Sequence, residues 1–510
     1  MNKLTTFGKI SITVIIIGVL FGLFQLLKKT SFFNKAVKEQ TELKEGKKLD
    51  SKDAIKIGVN TWGGFAGGQY FNEGFDANTN SRFTKEYGIP VEFKVIDDFD
   101  ACRAAFKSGD IDLMFGTLDA FPTEVEGLKE FNPQVLFQCD WSRGGDAIVV
   151  RRGINSANDL KGKTVGVAPL TPSHSFLIWM LEASNLTTKD IQLVEFPNAI
   201  DAASAFKAGK LDAAVVWSPD DQACIKSLPG SKVLQSTKNA SKIIADIIIG
   251  KKAYVEANKD KLAKLYEGWM IGSAELNSSE QAKNKAAKIL AKGYNIPEED
   301  ALFAINNTRL TTFGDNLQFF GLDPNYKGLT GEQLYTKMTS VYQKLGYAGK
   351  GVPNWRLIAN PELVEEFTKK DAPNQQAEDA KNFSTPTEAD KTTEASSSKA
   401  VSISFRTGEY QLDDNTKYII DKEFAELAKV FDNARIRIEG NTDNVGNPQT
   451  NKTLSYKRAQ AVADYLRTQY NMPENRFIIV GNGSDKPVAD NSTDAGKAKN
   501  RRTDFQFINE

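Results

Sequence analysis

A short stretch that occurs twice decides the fold of the middle of this chain. Residues 105–112 read AFKSGDID, and residues 205–212 read AFKAGKLD. Each copy closes an amphipathic helix with a glycine, and an apolar run typical of a buried strand follows. An earlier strand precedes each copy, over residues 56–59 and 163–167. Two copies of one α/β unit, each too long for a solenoid repeat, predict two similar lobes with a sheet in each.

Ligands of such sheets bind beyond the carboxyl ends of the strands, where loops meet helix N-termini. These loops hold three of the six tryptophans, together with several aspartates and hydroxyls. The residues that we expect to contact a ligand are Trp62, Gly63, Thr117, Asp119, Trp141, Asp146, Thr171, Ser173, His174, Trp217, Asp220 and Asp246.

The chemistry of these loops suits two kinds of ligand. Hydroxyls and backbone N–H groups at the start of the helix at 173–182 suit an anionic group. The tryptophans and carboxylates instead suit an amine, and a zwitterion would use both. Because the carboxylates outnumber the one nearby arginine, Arg143, we favour a ligand with an amino or heteroaromatic nitrogen.

Simpler interpretations of single residues stay open. Asp146 and Asp246 could cap turns, Trp141 could belong to the core of a hinge, and His174 could be a polar residue at a helix start. His174 is the single histidine, and the three cysteines lie in or beside apolar patterns typical of buried thiols. With no nucleophile and base in evident partnership, we expect neither catalysis nor a metal or cofactor.

The composition excludes several classes of protein. The 510 residues carry 65 basic and 65 acidic side chains, so a main partner with a nucleic-acid backbone is not expected. An apolar fraction of 40% excludes wholesale disorder. Three cysteines without a C-x-x-C pair exclude a disulfide framework or a zinc ribbon.

The N-terminus predicts a membrane anchor. Residues 10–27 carry no charge and lie between lysines, and as a helix they would span about 27 Å, close to the hydrocarbon core of a bilayer. A cleaved signal peptide is the alternative, but no small-residue cleavage site follows. We therefore expect a transmembrane signal anchor over residues 1–30 and a polar stalk over 31–53, with the bulk of the chain in the periplasm and the anchor in the inner membrane.

Residues 54–370 resemble the periplasmic substrate-binding proteins of ABC importers, of the NMT1/THI5-like nitrate, sulfonate and taurine type. The resemblance rests on NTWGG at 60–64, GTLDAFP at 116–122, DWSRGGD at 140–146, TPSHS at 171–175 and AAVVWSP at 213–219. It implies a two-lobed type II fold, with the second lobe at about 148–245, that closes on one small organic ligand by hinge motion. An ABC permease is then a possible partner.

The composition changes again near the C-terminus. Residues 371–400 are rich in Ser, Thr, Pro, Glu and Lys and predict a disordered linker. Residues 401–510 predict an ordered α+β domain. Its expected strands lie at 401–405, 435–439, 477–480 and 500–507, and its expected helices at about 416–432 and 451–470.

The motifs of this last domain resemble the OmpA-like peptidoglycan-binding domain. They are TDNxG at 442–446, NxxLSxxRA at 451–459 and NRR at 500–502, although Asn441 stands where the family usually has His or Tyr. In the family, the aspartate and the helix arginine hold the ammonium and the carboxylate of diaminopimelate in a peptidoglycan stem peptide. The resemblance gives these roles to Asp443 and Arg458, and it adds Thr442, Asn451, Arg501 and Arg502 to the pocket.

The sequence therefore predicts an α/β protein with an N-terminal transmembrane helix, a two-lobed type II binding fold and an OmpA-like domain. We expect a membrane-anchored, peptidoglycan-tethered solute-binding protein of an ABC-type importer or a sensor. The alternative is a structural or motor-coupled envelope tether whose lobes recognise a protein and bind no solute.

Overall fold

The structure, a computed structural model, describes residues 46–509 except positions 219, 404 and 407. The expected anchor at 1–30 and residues 31–45 of the expected stalk lie outside the described residues. In the part that is described, no helix is both long enough and apolar enough to cross a bilayer.

Of the strands in the described residues, the first eleven belong to the two expected lobes and the last four to the C-terminal domain. They are β1 (Ile55–Val59), β2 (Val91–Val95), β3 (Leu113–Thr117), β4 (Pro133–Ser142), β5 (Asp146–Val150), β6 (Thr164–Val167), β7 (Gln192–Glu195), β8 (Ala213–Trp217), β9 (Lys232–Ser236), β10 (Ala245–Lys251), β11 (Thr308–Leu310), β12 (Ser397–Val401), β13 (Arg435–Asn441), β14 (Phe477–Gly483) and β15 (Thr503–Ile508).

Helices cover the faces of the sheets. They are α1 (Ala66–Phe71), α2 (Arg82–Tyr87), α3 (Phe99–Ser108), α4 (Pro172–Glu182), α5 (Ala199–Lys207), α6 (Asp220–Ser227), α7 (Lys252–Ala257), α8 (Lys259–Ser278), α9 (Glu280–Tyr294), α10 (Glu298–Asn306), α11 (Phe313–Phe319), α12 (Gly331–Leu345), α13 (Trp355–Ile358), α14 (Glu362–Glu365), α15 (Asp414–Ile420), α16 (Glu426–Val430), α17 (Pro448–Tyr470) and α18 (Asp494–Asn500).

The two lobes have related sheets. The first sheet has the order β2-β1-β3-β10-β4-β11 and the second the order β7-β6-β8-β5-β9. In both, three parallel strands are followed by one antiparallel strand, β10 or β5, and this is the first strand after the chain arrives from the other lobe. This strand order is that of the two-lobed type II fold implied by the resemblance.

The sequence repeat is also a structural repeat. The helix of each copy is observed as α3 or α5, and the strand that follows as β3 or β8. The aspartate that closes each copy fixes the start of the neighbouring strand through a backbone N–H. Asp112 accepts a hydrogen bond from Lys56 at 2.8 Å, and Asp212 accepts one from Thr164 at 2.9 Å.

The two crossovers between the lobes touch each other. The first joins β4 to β5 and the second joins β9 to β10. The hydroxyls of Ser142 on the first and Thr237 on the second lie 2.9 Å apart, and Thr237 also accepts a hydrogen bond from the Gly144 backbone at 2.8 Å. The hinge of the two lobes is therefore a hydrogen-bonded unit.

The segment at 371–400 differs from the disordered linker that its composition predicts. The Gln375 side chain accepts a hydrogen bond from the Phe313 backbone at 3.2 Å and donates one to the Met270 carbonyl at 3.1 Å. Farther on, Arg437 donates to the carbonyls of Asp390 and Thr393. Composition predicts whether a segment can form a hydrophobic core of its own. The segment at 371–400 instead uses polar groups to bind the surfaces of neighbouring elements.

The C-terminal domain has the sheet order β12-β15-β13-β14, in which β13 and β14 are parallel. Its first strand was expected at 401–405, but β12 is Ser397–Val401 and pairs with β15. Ile403 and Phe405 lie beyond it and face a cavity instead. The expected helix at 416–432 is observed as α15 and α16, joined by a π-helical turn at Asp421–Ala425.

Candidate functional site

A row of polar side chains crosses the first sheet at the carboxyl end of β3. Asp246 on β10 is the cross-strand neighbour of Thr117 on β3 and of Asp140 on β4. Neighbours of this kind point to the same face of a sheet. All three are at least 95% buried. A hydroxyl and two carboxyl groups therefore share one face beside the hinge.

The two carboxyl groups of this row are difficult to ionise together. Burial raises the pKa of Asp246 well above its usual range, and the negative charge of Asp140 raises it further. Burial also raises the pKa of Asp140, against the effect of hydrogen bonds from Asp246 and Trp62. Such a pair favours either a retained proton or a bound positive charge.

Two more carboxyl groups lie close to this row. Asp119 follows β3, and burial raises its pKa to about 7 against the opposing effect of the nearby Ser175 hydroxyl. In the described part of the chain neither of its oxygens has a partner at hydrogen-bond distance. Asp146 begins β5 and accepts a hydrogen bond from Ser142 at 2.8 Å, while burial raises its pKa to about 7 as well. The charges of Asp119 and Asp146 also raise the pKa of Asp246, so the four groups act on one another.

A tryptophan from the first lobe covers these acids. The indole Nε1 of Trp62 donates to Asp140 Oδ2 at 2.9 Å. Its ring lies on the first crossover, where a Cβ on Gly145 would be only 2.0 Å from the ring. A Cβ on Gly64 would likewise be 2.3 Å from Asp140 Oδ2. Both glycines allow close approach, and Trp62 thereby connects the first lobe with the hinge.

The start of α4 contributes hydroxyl groups and a neutral imidazole. Ser173 is fully buried, and no partner of its hydroxyl is found among the described residues. The Thr171 hydroxyl donates to the carbonyl three residues earlier at 2.8 Å. His174 contacts the rings of Tyr342 and Tyr347, which also contact each other. Burial lowers the pKa of His174 to about 4, so it is uncharged at neutral pH.

Some expected residues lie away from the acids. Trp141 follows Asp140 on β4 and so points to the other face of the sheet, where Lys242 lies over its ring at 5.0 Å. A Cβ on Gly63 would clash with the carbonyl of Ala304, 2.3 Å away, so this glycine serves helix packing.

In the second lobe, the expected residue Asp220 lies away from the buried aspartates, whereas its sequence neighbour Asp221 lies near them. Asp220 pairs with Lys207 at 3.4 Å, whereas the charge of the buried Asp221 acts on Asp146. Trp217 ends β8 as the cross-strand neighbour of Asp146 and is half-buried.

Sequence reasoning missed Asp140 and Asp221. The signal for Asp140 was available, because a carboxylate inside a strand of apolar residues is rarely buried without a partner. For Asp221 the sequence offers no such signal, since the first turn of a helix commonly carries exposed acids.

The second candidate site is a cavity of about 450 Å³ in the C-terminal domain. Its walls are basic, and they include Phe405, Asn441, Arg458, Lys499, Arg501 and Arg502. A carboxylate is the group that such walls favour.

The expected helix arginine lines this cavity. Arg458 Nε donates to the carbonyl of Glu409 at 3.0 Å and Nη2 to that of Arg406 at 3.3 Å. The guanidinium lies 4.7 Å from the centre of the Phe405 ring. Burial lowers the pKa of Arg458, and the charge of Asp443 opposes that effect. Arg458 is thus held in place with capacity for a further acceptor.

The expected aspartate is paired within the same cluster. Arg501 Nη1 donates to Asp443 Oδ2 at 2.6 Å, with the Asp443 side chain 13% exposed and the Arg501 side chain 49% exposed. Because Arg501 also lines the cavity and its charge acts on Arg458, the three groups form one charged cluster. A ligand ammonium would share Asp443 with Arg501.

The remaining residues of the motif support the loop that carries Asp443. The Thr442 hydroxyl donates to the Asp443 carbonyl at 2.8 Å, and Asn451 donates to the Val445 carbonyl at 3.0 Å. Arg502 is buried and pairs with Asp504 at 2.9 Å, although it also lines the cavity.

Two family models match separate parts of the chain. Residues 146–275 match the model described as NMT1/THI5 like, and residues 404–501 match the OmpA family. The first match covers the second lobe and the return to the first, and the second includes Phe405, Asn441, Arg458, Lys499 and Arg501 of the cavity described above.

Two characterised relatives correspond to these parts. A taurine-binding periplasmic protein of Escherichia coli is 28% identical over 144 residues, which are 28% of this chain and 44% of that protein. The peptidoglycan-binding protein ArfA of Mycobacterium tuberculosis is 41% identical over 88 residues, which are 17% of this chain and 27% of ArfA. The chain thus spans less than half of the length of either relative.

The periplasmic aliphatic sulphonate binding protein SsuA of Escherichia coli is a solved structure of similar fold. It is 18% identical, with a TM-score of 0.49, and the alignment covers 66% of this chain and 98% of SsuA. By the two family matches, the chain carries an NMT1/THI5-like region over residues 146–275 followed by an OmpA-family domain over residues 404–501.

Proposed function

We propose that the protein captures a small organic molecule between its two lobes and is held to peptidoglycan by its C-terminal domain. The observation that carries the first half is the set of buried polar groups beside the hinge. Asp119 and Ser173 in particular are fully buried, and their side-chain oxygens find no partner among the described residues. Buried polar groups normally have partners, so these positions call for a bound molecule.

The geometry of the lobes supports this function. Trp62 comes from the first lobe, Asp146 lies at the hinge and Ser173 comes from the second lobe. A molecule between them would contact both sheets and both crossovers, and it would favour the closed arrangement over an open one. The taurine-binding and sulphonate-binding relatives are named for small organic ligands.

The charged cluster of the C-terminal domain supports anchoring to the wall. Arg458 and Arg501 offer guanidinium groups to a carboxylate, and Asp443 offers an acceptor to an ammonium. The free end of a diaminopimelate side chain carries both charges. ArfA, whose name states that it binds peptidoglycan, shares this part of the chain.

These two activities place the protein in the cell envelope. We propose a periplasmic location for the described part, with residues 1–30 as an anchor in the inner membrane. The solute would be delivered to an ABC-type permease or reported to a sensory partner. We propose no catalytic role, because the one histidine is buried and uncharged at neutral pH and the three cysteines are buried thiols.

Ligand capture is tested by native mass spectrometry of the purified full-length chain. We expect a small molecule to remain bound, and addition of that molecule should raise the unfolding temperature. If no molecule is retained and a broad panel of sulfonates, amines and pyrimidines gives no rise, solute binding is rejected in favour of a tether whose lobes recognise a protein.

Anchoring is tested by sedimentation of the full-length chain with purified sacculi. Asp443→Ala and Arg458→Ala should release the protein into the supernatant. Arg467→Ala is the matched control, because Arg467 lies on the same helix but pairs with Asp464 and Glu474. Retention of both site variants would reject the assigned wall site.

A further inference from the structure

We infer that the solute of the cleft is an organic cation that presents protonated nitrogen to the four aspartates beside the hinge. This inference rests on the proposed solute-binding function and deepens it by naming the group that is recognised. The relatives are named for taurine and for aliphatic sulphonates, and a sulfonate alone does not fit the charges of this cleft.

The first observation is an imbalance of charge. Asp119, Asp140, Asp146 and Asp246 are each at least 95% buried. No ion pair joins any of them to a lysine or arginine within the described part of the chain. Arg143, the arginine nearest to them in sequence, lowers the pKa of Asp140 by its charge but forms its ion pair with Glu378. An anionic ligand would add a further negative charge to this set, whereas a cation would relieve it.

The second observation concerns hydrogen-bonding capacity. Thr117 is 3% exposed, and its hydroxyl has no partner among the residues that the structure describes. It points to the same face as Asp246 and Asp140. Asp119 Oδ1 and Oδ2 are equally without a partner at hydrogen-bond distance in that part of the chain. These oxygens accept hydrogen bonds, and a protonated amine, which carries up to three N–H donors, supplies them.

The third observation concerns a bare metal ion as a possible occupant. Among the described residues, no three His, Cys, Asp or Glu side chains lie close enough together to hold a metal ion. The four aspartates come from separate places in the chain: the end of β3, the strands β4 and β10, and the start of β5. A molecule with nitrogen at more than one position, or a single ammonium beside a ring that stacks on Trp62, could contact several of them.

The start of α4 remains available for a different group of the same ligand. The Ser173 hydroxyl is buried there without a partner among the described residues, and His174 is uncharged at neutral pH. A hydroxyl or a carboxylate of the ligand could bind at this helix terminus. The ligand must nevertheless carry a protonated nitrogen, because the four buried aspartates outnumber the hydrogen-bond donors at the start of α4 that an anion would use.

A set of small compounds that differ in charge tests the inference on the full-length chain at pH 8. Ethanesulfonate carries only the anion, propylamine only the cation, taurine both, and 1,4-diaminobutane two cations. We expect the amines to bind in calorimetry and raise the unfolding temperature, and ethanesulfonate to do neither. Binding of ethanesulfonate without binding of the amines overturns the inference but leaves solute capture intact. Absence of binding by every compound, with no retained molecule in native mass spectrometry, overturns both.

Amide variants of two of the aspartates test where the protonated nitrogen binds. Asp246→Asn and Asp140→Asn should each weaken amine binding by about tenfold or more, the usual effect of losing a charge-assisted hydrogen bond. Asp260→Asn, a change of an exposed acid on α8, is the control and should leave binding unchanged. Both site variants replace a carboxyl by an amide of the same size and should still fold, which circular dichroism checks. Unchanged amine affinity in both folded variants would overturn the assignment.

Discussion

Glu378 accepts hydrogen bonds from both terminal nitrogens of Arg143, with Nη1 at 3.0 Å from Oε1. Arg143 belongs to the first crossover between the lobes, and Lys242 of the second crossover reaches the same carboxylate at 3.4 Å. Glu378 itself comes from the segment that leads to the C-terminal domain. This segment therefore fastens the two crossovers about which the lobes would open.

Removal of the negative charge of Glu378 should destabilise the protein. Burial would raise the pKa of Glu378, but Lys242 and Arg143 outweigh burial and lower the pKa to about 2. Glu378→Gln leaves two largely buried cations without their counter-charge, so we expect the free energy of unfolding at pH 7 to fall by about 2 kcal/mol. Urea unfolding followed by circular dichroism measures this change.

The pH dependence separates this effect from a loss of packing. Because the folded pKa of Glu378 is depressed from its usual 4.5, its contribution is present above pH 4.5 and is lost as the pH falls toward 2. The deficit of Glu378→Gln should therefore shrink below pH 4.5. Glu366→Gln, a change of an exposed glutamate just after α14, should cause no deficit. An equal deficit at pH 7 and pH 3 would contradict the ionic explanation.

Asp119 should affect stability in the opposite direction. Its pKa is raised from 3.8 to about 7 by burial, so the folded state holds a proton that the unfolded state has lost. The stability due to Asp119 is full below pH 3.8 and declines as the pH rises to about 7. Asp119→Asn resembles the protonated form and does not titrate. The free energy of unfolding of the Asp119→Asn variant, relative to that of the wild type, should therefore increase between pH 4 and pH 8, by at most about 4 kcal/mol.

Unfolding in urea at pH 4, 6 and 8, without ligand, measures this difference. Titrating groups that do not respond to the Asp119 charge contribute equally in both proteins and cancel in the comparison. Asp246 and Asp146 are coupled to Asp119, so the measured difference includes their response. A difference that is the same at all three pH values would show that Asp119 is already ionised in the folded protein.

The repeat at 105–112 and 205–212 predicted the two lobes because helix, glycine and strand follow one another locally. The motifs at 442–446, 451–459 and 500–502 pointed to Asp443, Arg458 and Arg501 through the resemblance to a family, not through local structure. The pairing within that cluster could not be predicted, since Arg501 reaches Asp443 across 58 positions of sequence. The order of the segment around Glu378 was missed because its partners lie on other elements.

The Phe405 ring should matter for wall binding although it carries no charge. The Arg458 guanidinium lies over it at 4.7 Å, and a contact of this kind is worth about 1 kcal/mol when partly desolvated. Phe405→Leu keeps an apolar side chain but removes the aromatic face, so we expect binding to sacculi to weaken by roughly fivefold. Tyr418→Leu is the control, because Tyr418 is an exposed aromatic residue of the same domain. Equal binding of wild type and Phe405→Leu would show that the backbone carbonyls alone position Arg458.

The contact between the C-terminal domain and the second lobe gives the last prediction. Asn158 of the second lobe donates to the Ser398 carbonyl at 3.0 Å and accepts from the Ser398 backbone N–H at 2.9 Å. Nearby, the Ala157 backbone N–H donates to the Ser396 carbonyl at 2.8 Å. β12 is therefore held from the lobe as well as from its own sheet.

Asn158→Ala removes both bonds to Ser398, together with a bond to the Ser184 carbonyl of its own lobe, and leaves the Ser398 backbone groups facing an apolar methyl group. Hydrogen exchange measured by mass spectrometry should become faster in peptides that cover 397–401, while peptides from β13 and β14 keep their wild-type rates because those strands pair within the domain. Asn433→Ala is a useful comparison, since Asn433 bonds to the Lys238 carbonyl at a different point of the same contact. Faster exchange throughout the C-terminal domain would instead mean that the domain depends on the lobe for its fold, and unchanged exchange at 397–401 would mean that the contact with Asn158 does not hold the strand.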